Sequence, residues 1–324
     1  MSAARSVNDF WAFEQTESTE PMAEFFERYG SEDQCHAALV ALRWPGGFVC
    51  PDCGCAQHCS FVREERQYWQ CSACRTQFTV TCGTVFEATK LPLRRWFLAM
   101  HLMTQSKNNV SALELKRHLG VRYKAAWLMK HKLLQVMTER EQSRVLDGRV
   151  EIDDAYLGGE REGKHGRGSE NKVSFVVAVQ TTADGKPVAM RMDPVAFTSA
   201  ALADWALKAL STSSCVISDG LQCFAATIVQ AASHTPIVVG SGRQCVQRAE
   251  FRCVNTVISN LKTAISGTYH SFNFKKYIRR YLAEMQYRFN RRYDLKAILA
   301  RLLRAAVLTG PRPERVIRAA ELGG

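Results

Sequence analysis

Asp153 lies in the alternating run Val150-Glu151-Ile152-Asp153-Asp154-Ala155-Tyr156-Leu157, and Asp219 follows a short apolar run, Cys215-Val216-Ile217-Ser218. Two strands that each deliver a carboxylate at or near their ends can hold a divalent metal between them. On a strand spanning 149–157, Val150 and Ile152 face one side while Glu151 and Asp153 face the other. Taken singly, a strand-terminal aspartate is a turn former, and Asp219-Gly220 is a good turn by itself. Taken together in a basic chain, the pair describes a phosphoryl-transfer site. Two metal ions roughly 3.5–4 Å apart would activate the attacking oxygen and stabilise the leaving one. A third ligand is expected from a helix at 254–266. There Asn255 offers an amide oxygen, a less charged donor to a hard cation than a carboxylate, though it equally fits a helix N-cap. Lys262, two turns along the same helical face, is placed to hold a phosphate.

A second metal constellation lies nearer the N-terminus. Cys50-Pro51-Asp52-Cys53 and Cys71-Ser72-Ala73-Cys74 are separated by seventeen residues. Each pair brings two thiolates to one ion, and two such knuckles on facing hairpins complete a tetrahedral structural zinc site. Cys55, His58 and Cys59 crowd the first knuckle as competing ligands, but the symmetric set needs no unusual loop. Trp44, Tyr68 and Trp69 are available to pack around a unit with little other core.

The 324-residue chain carries a formal net charge of +12, and the charge is uneven. Residues 1–34 hold eight acids against two bases, whereas residues 270–318 hold thirteen Lys and Arg against three acids. Such clustering favours a polyanionic partner. Ser111 to His118 reads as a helix capped by Ser111 with Glu114 at its third position. Leu119-Gly120-Val121 is a tight turn, and a second helix opens at Arg122 and ends near Gln135. This helix-turn-helix pattern puts Arg122 and Lys124 where DNA would be read, although an ordinary helical hairpin has the same pattern. No stretch approaches the roughly 18 apolar residues of a membrane span, and Met1 to Glu20 lacks the basic start and apolar core of a signal peptide. A reducing cytosol is therefore expected, where twelve cysteines point to metal ligation before disulfides.

These elements have to be positioned by a multidomain α+β chain. Helical spacing around Gly30-Ser31 gives a lead-in over 1–43, the cysteine-bearing hairpins span 44–90, and a helical DNA-binding unit spans 91–147. The region 148–294 reads as strands at 149–157, 173–181 and 187–193 with a Gly-rich polar loop at 158–171. A helix at 198–210, a strand at 215–219, a helix, a strand at Pro236 to Val239 and the helix at 254–266 follow. Three consecutive strands and then alternating helix and strand describe a mixed sheet with helices on its faces. Basic helices at 274–292 and 295–308 lead into a C-terminal tail, 295–324.

The runs VEIDDAYLGG, ISDGLQCF, VNTVISNLKTAISGTYHSF and YLAEMQYRFNRR resemble the bacterial insertion-sequence transposases of the ISXO-like group over about residues 20–295. The resemblance implies a DDE-type enzyme with an N-terminal zinc ribbon and a ribonuclease-H-like catalytic core. It implies Asp153 and Asp219 as the first two ligands of catalytic Mg²⁺ (or Mn²⁺). Asn255 takes the third place, as in those members with Asn there, and Lys262 follows seven positions later. The group's Glu, Arg, Arg triplet falls on Glu284, Arg288 and Arg291, which share one helical face by spacing; the two arginines would steady DNA phosphates. Asp154 stands where Glu is commoner, and Cys253 where an aromatic residue is expected. The implied partners are the element's terminal inverted repeats, target DNA and further copies of the chain in a synaptic complex at the bacterial nucleoid. Two other functions share these features: a zinc-ribbon DNA-binding regulator with an inactive nuclease core, and a structure-selective nuclease.

Overall fold

The structure, a computed structural model, describes residues 19–158, 172–238, 248–269 and 273–320; most of the Gly-rich loop at 158–171 lies outside them. In chain order the elements are α1 (Met22–Tyr29), α2 (Glu32–Arg43), β1 (His58–Arg63), β2 (Arg66–Cys71), β3 (Gln77–Phe78), α3 (Leu93–Gln105), α4 (Ala112–Leu119) and α5 (Tyr123–Gln142). Next come β4 (Arg149–Gly158), β5 (Lys172–Thr181), β6 (Pro187–Asp193), α6 (Ser199–Ala209), β7 (Cys215–Ser218) and β8 (Ser233–Pro236). The last helices are α7 (Arg252–Thr268), α8 (Phe274–Phe289), α9 (Leu295–Leu308) and α10 (Glu314–Ala319). The chain divides into two compact units, one of residues 17–136 with 294–319 and one of residues 137–293. No helix of the described residues is long and apolar enough to cross a membrane.

In the first unit, α2 starts where the sequence breaks at Gly30. Gln34 N–H donates to Ser31 Oγ and Ser31 N–H donates to Gln34 Oε1, a reciprocal capping box. The antiparallel sheet β1-β2-β3 pairs Ser60 with Trp69 and Trp69 with Phe78. Trp69 is buried against Trp44, their ring centroids 5.0 Å apart, which gives the small sheet an aromatic floor. The Ser111–Glu114 capping box forms as expected, and Gly120 ends α4 in the left-handed region at φ 60°, where a side chain would be strained. The second helix runs to Gln142, beyond the expected Gln135. Beyond Gln135 the helix buries Val136, Met137, Thr138 and Glu141 while Arg140 and Gln142 are exposed, so packing of one face carries it past the expected end.

The second unit is a five-stranded mixed sheet of order β6-β5-β4-β7-β8. β4 is antiparallel to β5 and parallel to β7, and β7 is parallel to β8. Alternation along the strands splits the core in two. Phe175, Val177 and Val179 pack with Val254, Val257 and Leu261 of α7 and Ile278 and Leu282 of α8. Val176 and Ala178 pack on the opposite face with Val150, Ile152, and with Leu202, Trp205 and Phe224. Three departures from the expected elements stand out. The segment after β7 is a 3-10 helix, Gln222–Val229. The last strand is Ser233–Pro236, upstream of the expected Pro236 to Val239, because its pairing follows the register Cys215↔Ser233 and not the apolar run; Val238 is 80% exposed. Asp153 lies in mid-strand, since β4 stays paired with β5 as far as Gly158↔Lys172.

Candidate active site and metal centres

The β4–β7 ladder ends at the pair Ile152↔Ser218, so Asp153 and Asp219 are the next residues on two neighbouring parallel strands where β7 peels away. Carboxylate oxygens of Asp153, Asp154 and Asp219 lie within 4.8 Å of one another, and all three side chains are half-buried. Asp154 N–H donates to Asp153 Oδ1 at 2.8 Å, and Leu221 N–H donates to Asp219 Oδ1 at 3.1 Å. The turn carrying Asp219 requires glycine next: Gly220 has φ +88°, and a Cβ there would come within 3.0 Å of Val238 Cγ2. Ser218 Oγ is 2.9 Å from His234 Nε2 and accepts from Gly220 N–H, tying the same turn to β8. Three like charges this close repel, and hard oxygen donors in this number suit a hard divalent cation that would offset the repulsion.

The third expected ligand sits on α7. Asn255 is half-buried in its first turns and Lys262 is exposed two turns on. Besides the apolar packing of this helix on the sheet, Glu151 of β4, only 1% exposed, bonds to its start. Its Oε2 accepts from the backbone N–H groups of Cys253 and Val254, both at 3.0 Å. Its Oε1 accepts from Arg149 at 2.6 Å. Burial pushes the Glu151 carboxyl above its usual range, opposed by the Arg149 bond and the Val254 N–H. Cys253, where an aromatic residue was expected, is buried in the sheet core and its thiol donates to Gly185 O at 3.3 Å.

The Glu284, Arg288, Arg291 triplet shares a helix but not one environment. Glu284 is fully buried and accepts from Tyr269 Oη at 2.9 Å. Burial lowers the Arg288 guanidinium below its usual range, with Glu284 the chief opposing influence. Arg291 was expected on DNA phosphate, but its Nη1 lies 2.5 Å from Glu141 Oε1 and its side chain is 12% exposed. Glu141 also accepts from Asn290 Nδ2 and Arg144 Nε. Arg291→Ala removes one of two cations from this buried carboxylate and leaves Arg144 as the other, so a stability loss of about 1.5–3 kcal/mol is expected. Urea unfolding measures the loss, and a falling salt slope of DNA binding would instead indicate a phosphate contact.

In the first unit the sulfurs of Cys50, Cys53, Cys71 and Cys74 also lie within 4.8 Å of one another. Cys50–Cys74 and Cys53–Cys71 are 3.6 and 3.5 Å apart, close to the ~3.8 Å edge of a tetrahedron with Zn–S of about 2.3 Å. The two knuckles repeat one backbone pattern. Cys50 N–H donates to Cys55 O as Cys71 N–H donates to Thr76 O, and Gly54 N–H donates to Cys50 O as Arg75 N–H donates to Cys71 O. Gly54 and Arg75, at equivalent places, both have positive φ. Backbone N–H groups, that of Cys74 first, pull the Cys71 thiol down to about 6, and the Thr76 hydroxyl lowers Cys74. Cys55 and Cys59 do not join this cluster, and neither does His58.

Of the helix-turn-helix residues, Arg122 and Lys124 are exposed, with Lys124 Nζ 3.2 Å from Glu314. Sequence reasoning missed the partners of the site: Asp154 in the carboxylate cluster, Glu151 at the start of α7, and His234 behind Ser218. Only Glu151 left a usable signal, because strand alternation puts it on the face of Asp153 and an acid on a core-facing position demands partners.

The profile of the ISXO2-like transposase domain matches residues 145–290, and that of the transposase zinc-ribbon domain matches residues 30–77. The first span contains Asp153, Asp219, Asn255, Lys262, Glu284 and Arg288, and the second contains the four clustered cysteines. An uncharacterized protein in transposable element ISH50 of Halobacterium salinarum is 31% identical over 131 residues. That alignment spans 39% of this chain and 42% of that protein.

Proposed function

We propose that this chain, which carries an ISXO2-like transposase domain and a transposase zinc-ribbon domain, is a DDE-type transposase that cuts and joins DNA at insertion-sequence ends. The observation that carries this reading is the meeting of Asp153, Asp154 and Asp219 within 4.8 Å, at the end of the β4–β7 ladder, in the domain matched to transposases. In this reading Asp153, Asp219 and Asn255 would hold Mg²⁺ or Mn²⁺. When bound, two such ions supply Lewis-acid activation of the attacking oxygen and charge stabilisation of the leaving one.

The chain's own residues then have defined tasks. The half-buried carboxylates fix where the scissile phosphate lies, and Lys262 steadies a phosphate oxygen with its ammonium. Water attacks the phosphodiester at the element end, and the departing 3′-oxygen leaves as a hydroxyl. That hydroxyl attacks a target phosphodiester in line, so one P–O bond forms as another breaks and no covalent protein intermediate arises. The zinc ribbon and the helical unit, with Arg122 and Lys124, recognise the terminal inverted repeats. The basic C-terminal helices hold backbone phosphates, and Glu284 orders Arg288. Further copies of the chain join in the synaptic complex, at the nucleoid of a bacterial cytoplasm. Fold boundaries in this reading stay near 43, 90, 147 and 294.

The test is a duplex bearing the inverted repeats that flank the reading frame, incubated with the protein and Mg²⁺. Cleavage at the repeat end followed by joining to a second duplex is expected, with both steps lost in chelator. Binding without cleavage identifies a regulator, and cutting of branched DNA without joining identifies a structure-selective nuclease.

A further inference from the structure

α7 has no cap of its own. Its N-cap residue is Phe251, which makes no side-chain capping bond, although the first N–H groups of a helix need acceptors when buried. The acceptor arrives from another element. Glu151 Oε2 takes the N–H groups of Cys253 and Val254, the second and third helical positions, which a capping side chain ordinarily serves. Its other oxygen is locked by Arg149, and Arg149 in turn donates to Thr181 Oγ1 on β5 and to Glu250 O just before the helix. A negative charge at this end of the helix is also favoured by the aligned peptide dipoles.

We propose that Glu151 is a positioning residue that sets the distance between the carboxylates on β4 and the first turns of α7, and hence the place of Asn255 and Lys262. This rests on the reading of Asp153, Asp219 and Asn255 as metal ligands. Glu151 stands two residues before Asp153 on the same face of one strand, about 7 Å along it. Asn255 follows Val254 directly. One carboxylate thereby connects Asp153 on β4 with the helix that carries Asn255 through two backbone bonds. The device also explains an acid in the core of the sheet. Its three hydrogen bonds, from Arg149, Cys253 N–H and Val254 N–H, all come from groups at or beside the helix entry.

The variant Glu151→Gln keeps the shape but opposes an amide N–H₂ either to Arg149 or to the two helix N–H groups. Mn²⁺ binding to the full chain, measured by titration calorimetry, reads the effect without requiring turnover. Glu151→Gln is expected to weaken Mn²⁺ binding at least tenfold, and the cleavage it retains should rise toward the wild-type rate as Mn²⁺ is increased. Ile278→Val, a small cavity in the same core on α8, controls for lost stability and should leave the Mn²⁺ constant within twofold. Glu151→Asp, which keeps the charge but shortens its reach, should fall between wild type and Glu151→Gln, and serves alone if Glu151→Gln does not fold. Wild-type Mn²⁺ affinity in the folded Glu151 variants, while Asp153→Ala abolishes binding, overturns the proposal and leaves the metal site standing. Unchanged Mn²⁺ binding in Asp153→Ala overturns the metal site itself, and the positioning role with it.

Discussion

Asp153→Ala and Asp219→Ala are each expected to lower strand transfer at least a thousandfold while leaving binding to element-end DNA within about twofold. A thousandfold corresponds to about 4 kcal/mol of transition-state stabilisation, a reasonable loss when one of two carboxylates flanking the reacting phosphate is removed. Neither change should unfold the protein. Both side chains are half-buried and crowded by a third carboxylate, so deleting one relieves repulsion between like charges. The melting temperature should hold or rise, which separates lost chemistry from lost structure. A gel assay for joined product, run beside a thermal melt, checks both parts. Full activity in either variant would sink the assignment.

Removing zinc should have the other large effect. Cys71→Ser, or a strong chelator, is expected to unfold the ribbon between Trp44 and Phe78 and to abolish specific end binding. The small sheet has only an aromatic floor, and structural zinc supplies apparent folding energies of about 10–16 kcal/mol in comparable small motifs. Trp44 and Trp69, 9% and 8% exposed, would become solvated, so tryptophan fluorescence should shift to longer wavelength as one equivalent of zinc is released per chain. Chelation that extracts the metal without moving the fluorescence would show that the ribbon holds itself together.

Much of the site was legible because its parts are local. The paired CxxC spacings, the Ser111–Glu114 cap and the alternation from Val150 to Leu157 are short-range signals, and the structure forms all three. β8 was misplaced because an edge strand is chosen by register with β7. Its polar residues Ser233 and His234 satisfy that register better than the apolar run that follows. Asp154 was read only as a neighbour of the ligand where Glu is commoner; alternation puts it opposite Asp153, yet its carboxylate still reaches the same cluster. Arg291 shared spacing with Glu284 and Arg288, but periodicity says which face of a helix a residue occupies and not what stands opposite. Glu141, 150 residues away in sequence, decides its environment. Glu151 was half legible: alternation put it on the core face of its own strand, but a cap supplied by a strand has no sequence signature at the helix it caps.

β4 is the middle strand of five, bonded along its length to β5 and over its first half to β7. Backbone in such a strand opens only with the sheet as a whole. The amides from Val150 to Ile152, paired on both sides up to the residue before Asp153, should therefore exchange with solvent as slowly as any described in this sheet, with or without DNA. Substrate then has little main chain to order at this carboxylate, and the entropy lost on engagement falls on side chains, ions and the DNA itself.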